Sequence, residues 1–198
     1  MPRKKRIIYP VVFMFTITFL LTLSLATINE LTYDRIKRIE DLEIKEKMLY
    51  AFDIKINDTE DPQETFSKNI EEKVIGDSII FLMKENGEIK SYGVTSVGPG
   101  LWGSISIFLV LDKNLDEVVG LNVLSHSETP GLGGRIDELW YKDQFRKVKL
   151  NPSGDYISYK PSSDGNVDSI AGATLTSESV KKIINQEIIN IRQILEVE

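Results

Sequence analysis

The stretch Val167-Asp168-Ser169-Ile170-Ala171-Gly172-Ala173-Thr174-Leu175-Thr176-Ser177 gathers small residues and hydroxyls directly ahead of a helical pattern. Small side chains let a backbone approach a ligand closely, and the first turn of a helix presents N–H groups without intrahelical acceptors. The combination suits an anion such as a phosphate. A plain alternative accounts for the same residues: Thr176 or Ser177 caps the helix and Asp168 closes a turn. A second segment, His126-Ser127-Glu128-Thr129-Pro130-Gly131-Leu132-Gly133-Gly134, couples one stiffening proline to three glycines, more constraint than a simple connection needs. Its histidine suits proton transfer only beside a neighbour that tunes it, and is otherwise a hydrogen-bonding scaffold residue. Gly98-Pro99-Gly100-Leu101-Trp102-Gly103 is a third glycine-rich turn, whose plain reading is a strand entry that buries Trp102.

Composition narrows the chemistry further. The 198 residues include no cysteine and one histidine, with 24 basic against 30 acidic side chains. Disulfide scaffolds, thiolate metal sites, cysteine-ligated clusters and thiol nucleophiles are therefore excluded, as is a multi-histidine metal centre. Neither a catalytic nor a metal-ligating residue is assigned. The acidic balance argues against nucleic acid as a partner, because phosphate backbones need clustered Lys and Arg. Arg3, Lys4, Lys5 and Arg6 stand together at the start, so the chain after them carries a net charge of −10.

From Ile7 to Ile28 no residue is charged. A helix needs about 20 mainly apolar residues to cross a hydrocarbon core, and this run meets the requirement. Its threonines and serine can return hydroxyls to carbonyls one turn back. The apolar core is too long for a cleaved signal peptide, which favours an uncleaved transmembrane helix in contact with lipid. The basic cluster then stays cytoplasmic and the body lies outside, at the cell (inner) membrane.

Four segments follow from this reading: a basic leader over 1–6, a membrane helix over 7–28, an amphipathic stalk over 29–60 and a soluble domain over 61–198. Ile36, Ile39, Leu42, Ile44, Met48 and Leu49 form the stalk's apolar stripe. Asp58 to Gln63 is a polar break, and a short helix is predicted around Glu64–Val74. Strands are predicted at 78–83 and 89–94, joined by Asn86-Gly87. A strand from Trp102 to Leu111 becomes continuously apolar at Ile107, as if buried on both faces. Asp112 to Asp116 turns the chain into an antiparallel partner at Val118–Leu124. A helix is predicted from Ile136 to Phe145, and a last one from Ser179 to Val197, where Val180, Ile183, Ile184, Ile188, Ile191 and Leu195 keep helical spacing. Hairpins flanked by helices make an α+β domain of antiparallel strands.

The run Asp168 to Thr174 resembles the flavinylation motif of the FMN-binding domain family, with Ala171 where that motif usually carries Ser or Thr. His126 to Gly133 is similar to the family's H-x-E-T-P-G-L-G segment, and Gly100-Leu101-Trp102-Gly103 to a glycine–tryptophan turn of its Nqr-type members. The resemblance, to the C subunit of Nqr-type and the G subunit of Rnf-type complexes, covers essentially the whole chain after Arg6.

The resemblance implies a membrane-anchored flavoprotein subunit that relays electrons beside other membrane subunits of an ion-translocating complex, without being catalytic alone. FMN would be bound through a phosphoester on Thr174, installed by a separate flavin transferase that uses FAD and a divalent metal. Asp168, Ala171, Gly172, Ala173, Leu175 and Thr176 would surround the attachment point. His126, Glu128, Thr129, Pro130, Gly131, Leu132, Gly133 and Trp102 would form the flavin wall. Two alternatives stand beside this reading: a stand-alone flavinylated domain serving another reductase, and a non-enzymatic anchored sensor or binding module.

Overall fold

The computed structural model describes residues 3–57, 59–76 and 78–196. Met1 and Pro2, the side chains of Arg3 to Arg6, Asp58 at the head of the polar break and Val197 at the end of the last helix lie outside the described residues. The chain divides into two compact units, Met1–Glu43 and Ile44–Glu198. A single helix, α1, runs over Arg3–Ala51.

In the first unit α1 leaves Phe13, Phe15, Phe19, Leu20, Leu21 and Leu25 exposed. A continuous apolar surface of this kind is rare on a soluble protein, and the helix is long and apolar enough to cross a bilayer. It fits a membrane anchor. Hydroxyls of Thr16, Ser24 and Thr27 donate to the carbonyls of Val12, Leu20 and Leu23 at 2.8–2.9 Å, which removes polar groups from the helix surface.

The second unit begins at Ile44, ahead of residue 61, because the last turns of α1 bury Met48, Leu49 and Ala51, followed by Phe52. A short α2 (Pro62–Asn69) follows, with Asp61 at its N-cap accepting from the Gln63 N–H at 2.9 Å and Pro62 in its first turn. Asp61→Ala is expected to cost about 1 kcal/mol; an unshifted urea midpoint would show that the cap contributes nothing.

Six antiparallel strands then form a meander in chain order: β1 (Ile70–Ile75), β2 (Ser78–Glu85), β3 (Glu88–Pro99), β4 (Ser104–Asp112), β5 (Glu117–Ser125) and β6 (Val148–Lys149). Between β5 and β6 lie a 3-10 turn (Gly133–Asp137) and α3 (Leu139–Asp143). An irregular segment leads from β6 to the last helix, α4 (Thr174–Glu196).

Both faces of the sheet are covered. Ile105, Ile107, Leu109 and Leu111 of β4 join Val180, Ile183, Ile184, Ile188 and Ile191 of α4 in one core. Phe108 and Val110, pointing the other way, meet Met48, Leu49, Phe52 and Phe66. This two-sided burial is why the strand reads as an unbroken apolar run. The β2–β3 turn uses positive φ at Asn86 (54°) and Gly87 (85°), the geometry of a type I′ hairpin.

Three local expectations change. The helix around Glu64–Val74 ends at Asn69, and Ile70–Ile75 is edge strand β1, paired with β2 from Ile70↔Met83 to Ile75↔Ser78. Phe66, Ile70 and Val74 are spaced four apart and imitate a helical stripe, yet Val74 is exposed and pairs with Ile79. The helix over Ile136–Phe145 is a 3-10 turn plus a short α3, which buries Ile136, Tyr141 and Phe145 while Leu139 and Trp140 stay exposed. The last helix starts at Thr174 instead of Ser179.

Candidate functional site

Two turns of the same design face each other. Thr129-Pro130-Gly131-Leu132 closes with the Leu132 N–H on the Thr129 carbonyl (3.2 Å), and Gly131 has φ 75°. Ile170-Ala171-Gly172-Ala173 closes with the Ala173 N–H on the Ile170 carbonyl (3.0 Å), and Gly172 has φ 80°. Glycine third in a four-residue turn is the signature of type II, where a β-carbon would be strained. The Ile170 N–H donates to Ser177 Oγ (3.0 Å), and the Tyr159 hydroxyl donates to the Ser177 carbonyl (3.0 Å), so the second turn is tied to buried groups.

Between the turns lies a cleft of about 300 Å³ lined by Leu101, Trp102, Glu128, Thr129, Leu132, Gly133, Gly172, Ala173, Thr174, Leu175 and Thr176. Leu101, Trp102, Leu132 and Leu175 are all exposed, Trp102 to 70%. The reading that buries Trp102 in the core is therefore corrected: β4 begins two residues later, and the indole stands at the cleft rim. A larger groove of about 800 Å³ runs along α4 and the end of β3, but it shares no lining residue with this cleft. The smaller cleft is where all three glycine-rich segments converge.

Thr174 is exposed and is the first residue of α4, whose first helical bond runs from the Ser177 N–H to the Ala173 carbonyl (3.0 Å). The N–H groups of Thr174, Leu175 and Thr176 have no acceptor among the described residues. Neither Thr176 nor Ser177 caps the helix. Both lie inside it, buried, and their hydroxyls serve other partners.

Glu128 joins the three segments. Only 4% exposed, it accepts at Oε1 from the N–H groups of Leu101 (2.8 Å) and Trp102 (3.1 Å), and at Oε2 from the Thr176 hydroxyl (2.6 Å). Burial by itself pushes this carboxyl up, but the Thr176 hydroxyl and the two backbone N–H groups hold it below the ordinary range. His126 supports Glu128 from outside the cleft. Its Nδ1 accepts from the Glu128 N–H (3.0 Å), which leaves the ring proton on Nε2, 2.9 Å from Asp137 Oδ2.

Of the residues singled out in the sequence, the cleft brings together Trp102, Glu128, Thr129, Leu132, Gly133, Gly172, Ala173, Thr174, Leu175 and Thr176. His126, Pro130, Gly131, Ala171 and Asp168 shape or flank it without lining it. Among the described residues the exposed Asp168 side chain reaches Lys160 Nζ alone (3.5 Å), while Gln144 holds its backbone through two hydrogen bonds. Leu101, Asp137 and Gln144 were missed. Leu101 sits inside a motif and was legible there, whereas Asp137 and Gln144 contribute through contacts with no sequence signature.

Gly133 tests the packing. A β-carbon there would lie 2.5 Å from Thr176 Oγ1 and 2.6 Å from Glu128 Oε2. Gly133→Ala should part that hydrogen bond, cost about 1–3 kcal/mol, and speed amide exchange at Leu101 and Trp102. Unchanged exchange would mean that the three segments are held together by other contacts.

Fold and cleft together define a small α+β domain, with an antiparallel sheet and a cleft at a helix N-terminus. The chain belongs to the FMN-binding domain family, whose model matches residues 100–188. It is 30% identical over 158 residues to the G subunit of the ion-translocating oxidoreductase complex of Shewanella piezotolerans, covering 76% of this chain and 73% of that one. It is 33% identical over 116 residues to the C subunit of the Na(+)-translocating NADH-quinone reductase of Pseudomonas aeruginosa, covering 54% of this chain and 44% of that one. The chain thus spans about half the length or less of the reductase relatives it matches. The crystal structure of the corresponding reductase C subunit from Parabacteroides distasonis shares the fold, with a TM-score of 0.64 at 23% identity over 76% of this chain and 89% of that one.

Proposed function

We propose that this protein is a membrane-anchored flavoprotein subunit that relays electrons within an Rnf- or Nqr-type complex, with FMN attached through a phosphoester on Thr174. The observation that carries the reading is the position of the Thr174 hydroxyl. Thr174 is exposed, lines the cleft, and begins the run of three N–H groups, its own and those of Leu175 and Thr176, free to meet a phosphate. Negative charge at that helix end gains about 0.3–1 kcal/mol, so the covalent bond, not the dipole, keeps the site filled.

The residues present fit the group. Gly133 lets its turn close against Glu128 and Thr176, Gly172 puts no side chain at the cleft, and Leu101, Trp102, Leu132 and Leu175 offer exposed apolar surface to a flat ring. FMN when bound supplies one- and two-electron chemistry, and the chain supplies position and electrostatics. In maturation the Thr174 oxygen bonds to the flavin-side phosphorus of FAD as AMP leaves, the hydroxyl proton passing to a base or to water. Asp168, exposed and outside the cleft, suits recognition by the flavin transferase better than contact with the flavin.

The wider assignment follows the same reading. Residues 7–28 cross the membrane with the cluster Arg3–Arg6 on the cytoplasmic side, and the domain behind the stalk faces outward to other membrane subunits. Mass spectrometry after co-expression with a flavin transferase should find one FMN, less a water, on the peptide containing Thr174. A colourless protein of unmodified mass from such a host would overturn the proposal.

A further inference from the structure

Glu128 is the one charged side chain among the residues lining the cleft. All three of its partners are donors, two N–H groups on Oε1 and one hydroxyl on Oε2. Two of those donors are backbone N–H groups, which cannot accept a proton, so the pattern on Oε1 favours the carboxylate. Buried and shielded from water, that negative charge acts on its surroundings far more strongly than a surface carboxylate does.

A redox group in the same cleft gains electrons on reduction, and a fixed neighbouring anion opposes the added negative charge. We propose that Glu128 is a redox-tuning residue, whose buried carboxylate disfavours anionic reduced forms of the FMN held in the cleft and so keeps its midpoint potential low. The inference rests on the cleft being the FMN site. It goes beyond the hydrogen bonds by which Glu128 assembles that cleft, because assembly needs the shape of the side chain and tuning needs its charge.

Glu128→Gln separates the two. Glutamine keeps the length, its Oε1 can still accept from Leu101 and Trp102, and the Thr176 hydroxyl can turn to accept from its amide. In the flavin-bearing variant the midpoint potential at neutral pH should rise above that of the wild type. The difference should be present where the wild-type carboxylate is ionised and should vanish on acidification as it takes up a proton. The groups that face Glu128 are few. His126, paired to Asp137, acts from its own loop, whereas α4 and the Leu101–Trp102 turn present a neutral hydroxyl and backbone N–H groups.

Spectroelectrochemical titration of the flavinylated full-length protein across pH reads this directly. If Glu128→Gln takes up no flavin, Thr176→Val carries the test. Loss of the hydroxyl donor makes the carboxylate harder to ionise, so the acid-side rise in potential should move to higher pH. A Glu128→Gln potential equal to the wild type, or an unmoved rise in Thr176→Val, overturns the inference and leaves the FMN assignment standing. A wild type that carries no flavin overturns both.

Discussion

Thr174→Ala is expected to give a folded protein without flavin. The side chain is exposed and makes no hydrogen bond within the described residues, and it stands at the first position of α4, where alanine is well tolerated. The stability change should stay within about 0.5 kcal/mol, as for other surface replacements. Flavin content should fall from one per chain to none, because no other oxygen takes the same place. Thr176 gives its hydroxyl to Glu128, and Ser177 is buried one turn along. Thr174→Ser keeps the hydroxyl and should retain part of the flavin. In-gel fluorescence after denaturation reads attachment and thermal unfolding reads the fold. A fluorescent alanine variant would move the linkage elsewhere, and an unfolded one would make Thr174 a structural residue.

The largest expected effect on stability is at Phe108. Its ring is fully buried in the centre of β4, 5.6 Å from that of Phe52 and 5.4 Å from that of Phe81. It therefore packs the residue that follows α1 against the sheet. Phe108→Ala removes these contacts and leaves a cavity that the rigid sheet cannot close, at a cost of about 3–5 kcal/mol. Domains are stable by roughly 5–15 kcal/mol in all, so the variant should be marginal. Val97→Ala, at an exposed position of β3, is the control and should change little. Equal urea midpoints for the two variants would mean that the face opposite α4 contributes nothing to the fold.

Periodicity exposes what lies along a single element. The β2–β3 hairpin, the doubly buried β4, its β5 partner and the amphipathic α4 were all legible, because burial imposes a period of two or 3.6 on each. The failures share a cause. Ile70–Ile75 carries Glu71, Glu72 and Lys73 on an edge strand that pairs with β2 and exposes four residues in a row, so it shows no two-residue period, while Ile70 and Val74 share a four-residue spacing with Phe66. β6 has two residues, too few to show any period. α4 begins ahead of its apolar stripe because its first turn faces the cleft, where small and polar residues are needed instead of core ones.

By itself the sequence determined the long apolar helix, the antiparallel α+β plan, the three glycine-rich segments and the hydroxyl-rich start of the last helix. These depend on residue types close together in the chain. Only the tertiary structure decided what Glu128, Trp102 and Asp168 do. Glu128 meets the Leu101 and Trp102 N–H groups and the Thr176 hydroxyl across long stretches of chain, Trp102 is left at the rim, and Asp168 is turned to solvent. Hydrogen bonds between distant segments leave no periodic trace, and they exist only once the sheet and α4 have fixed where those segments end.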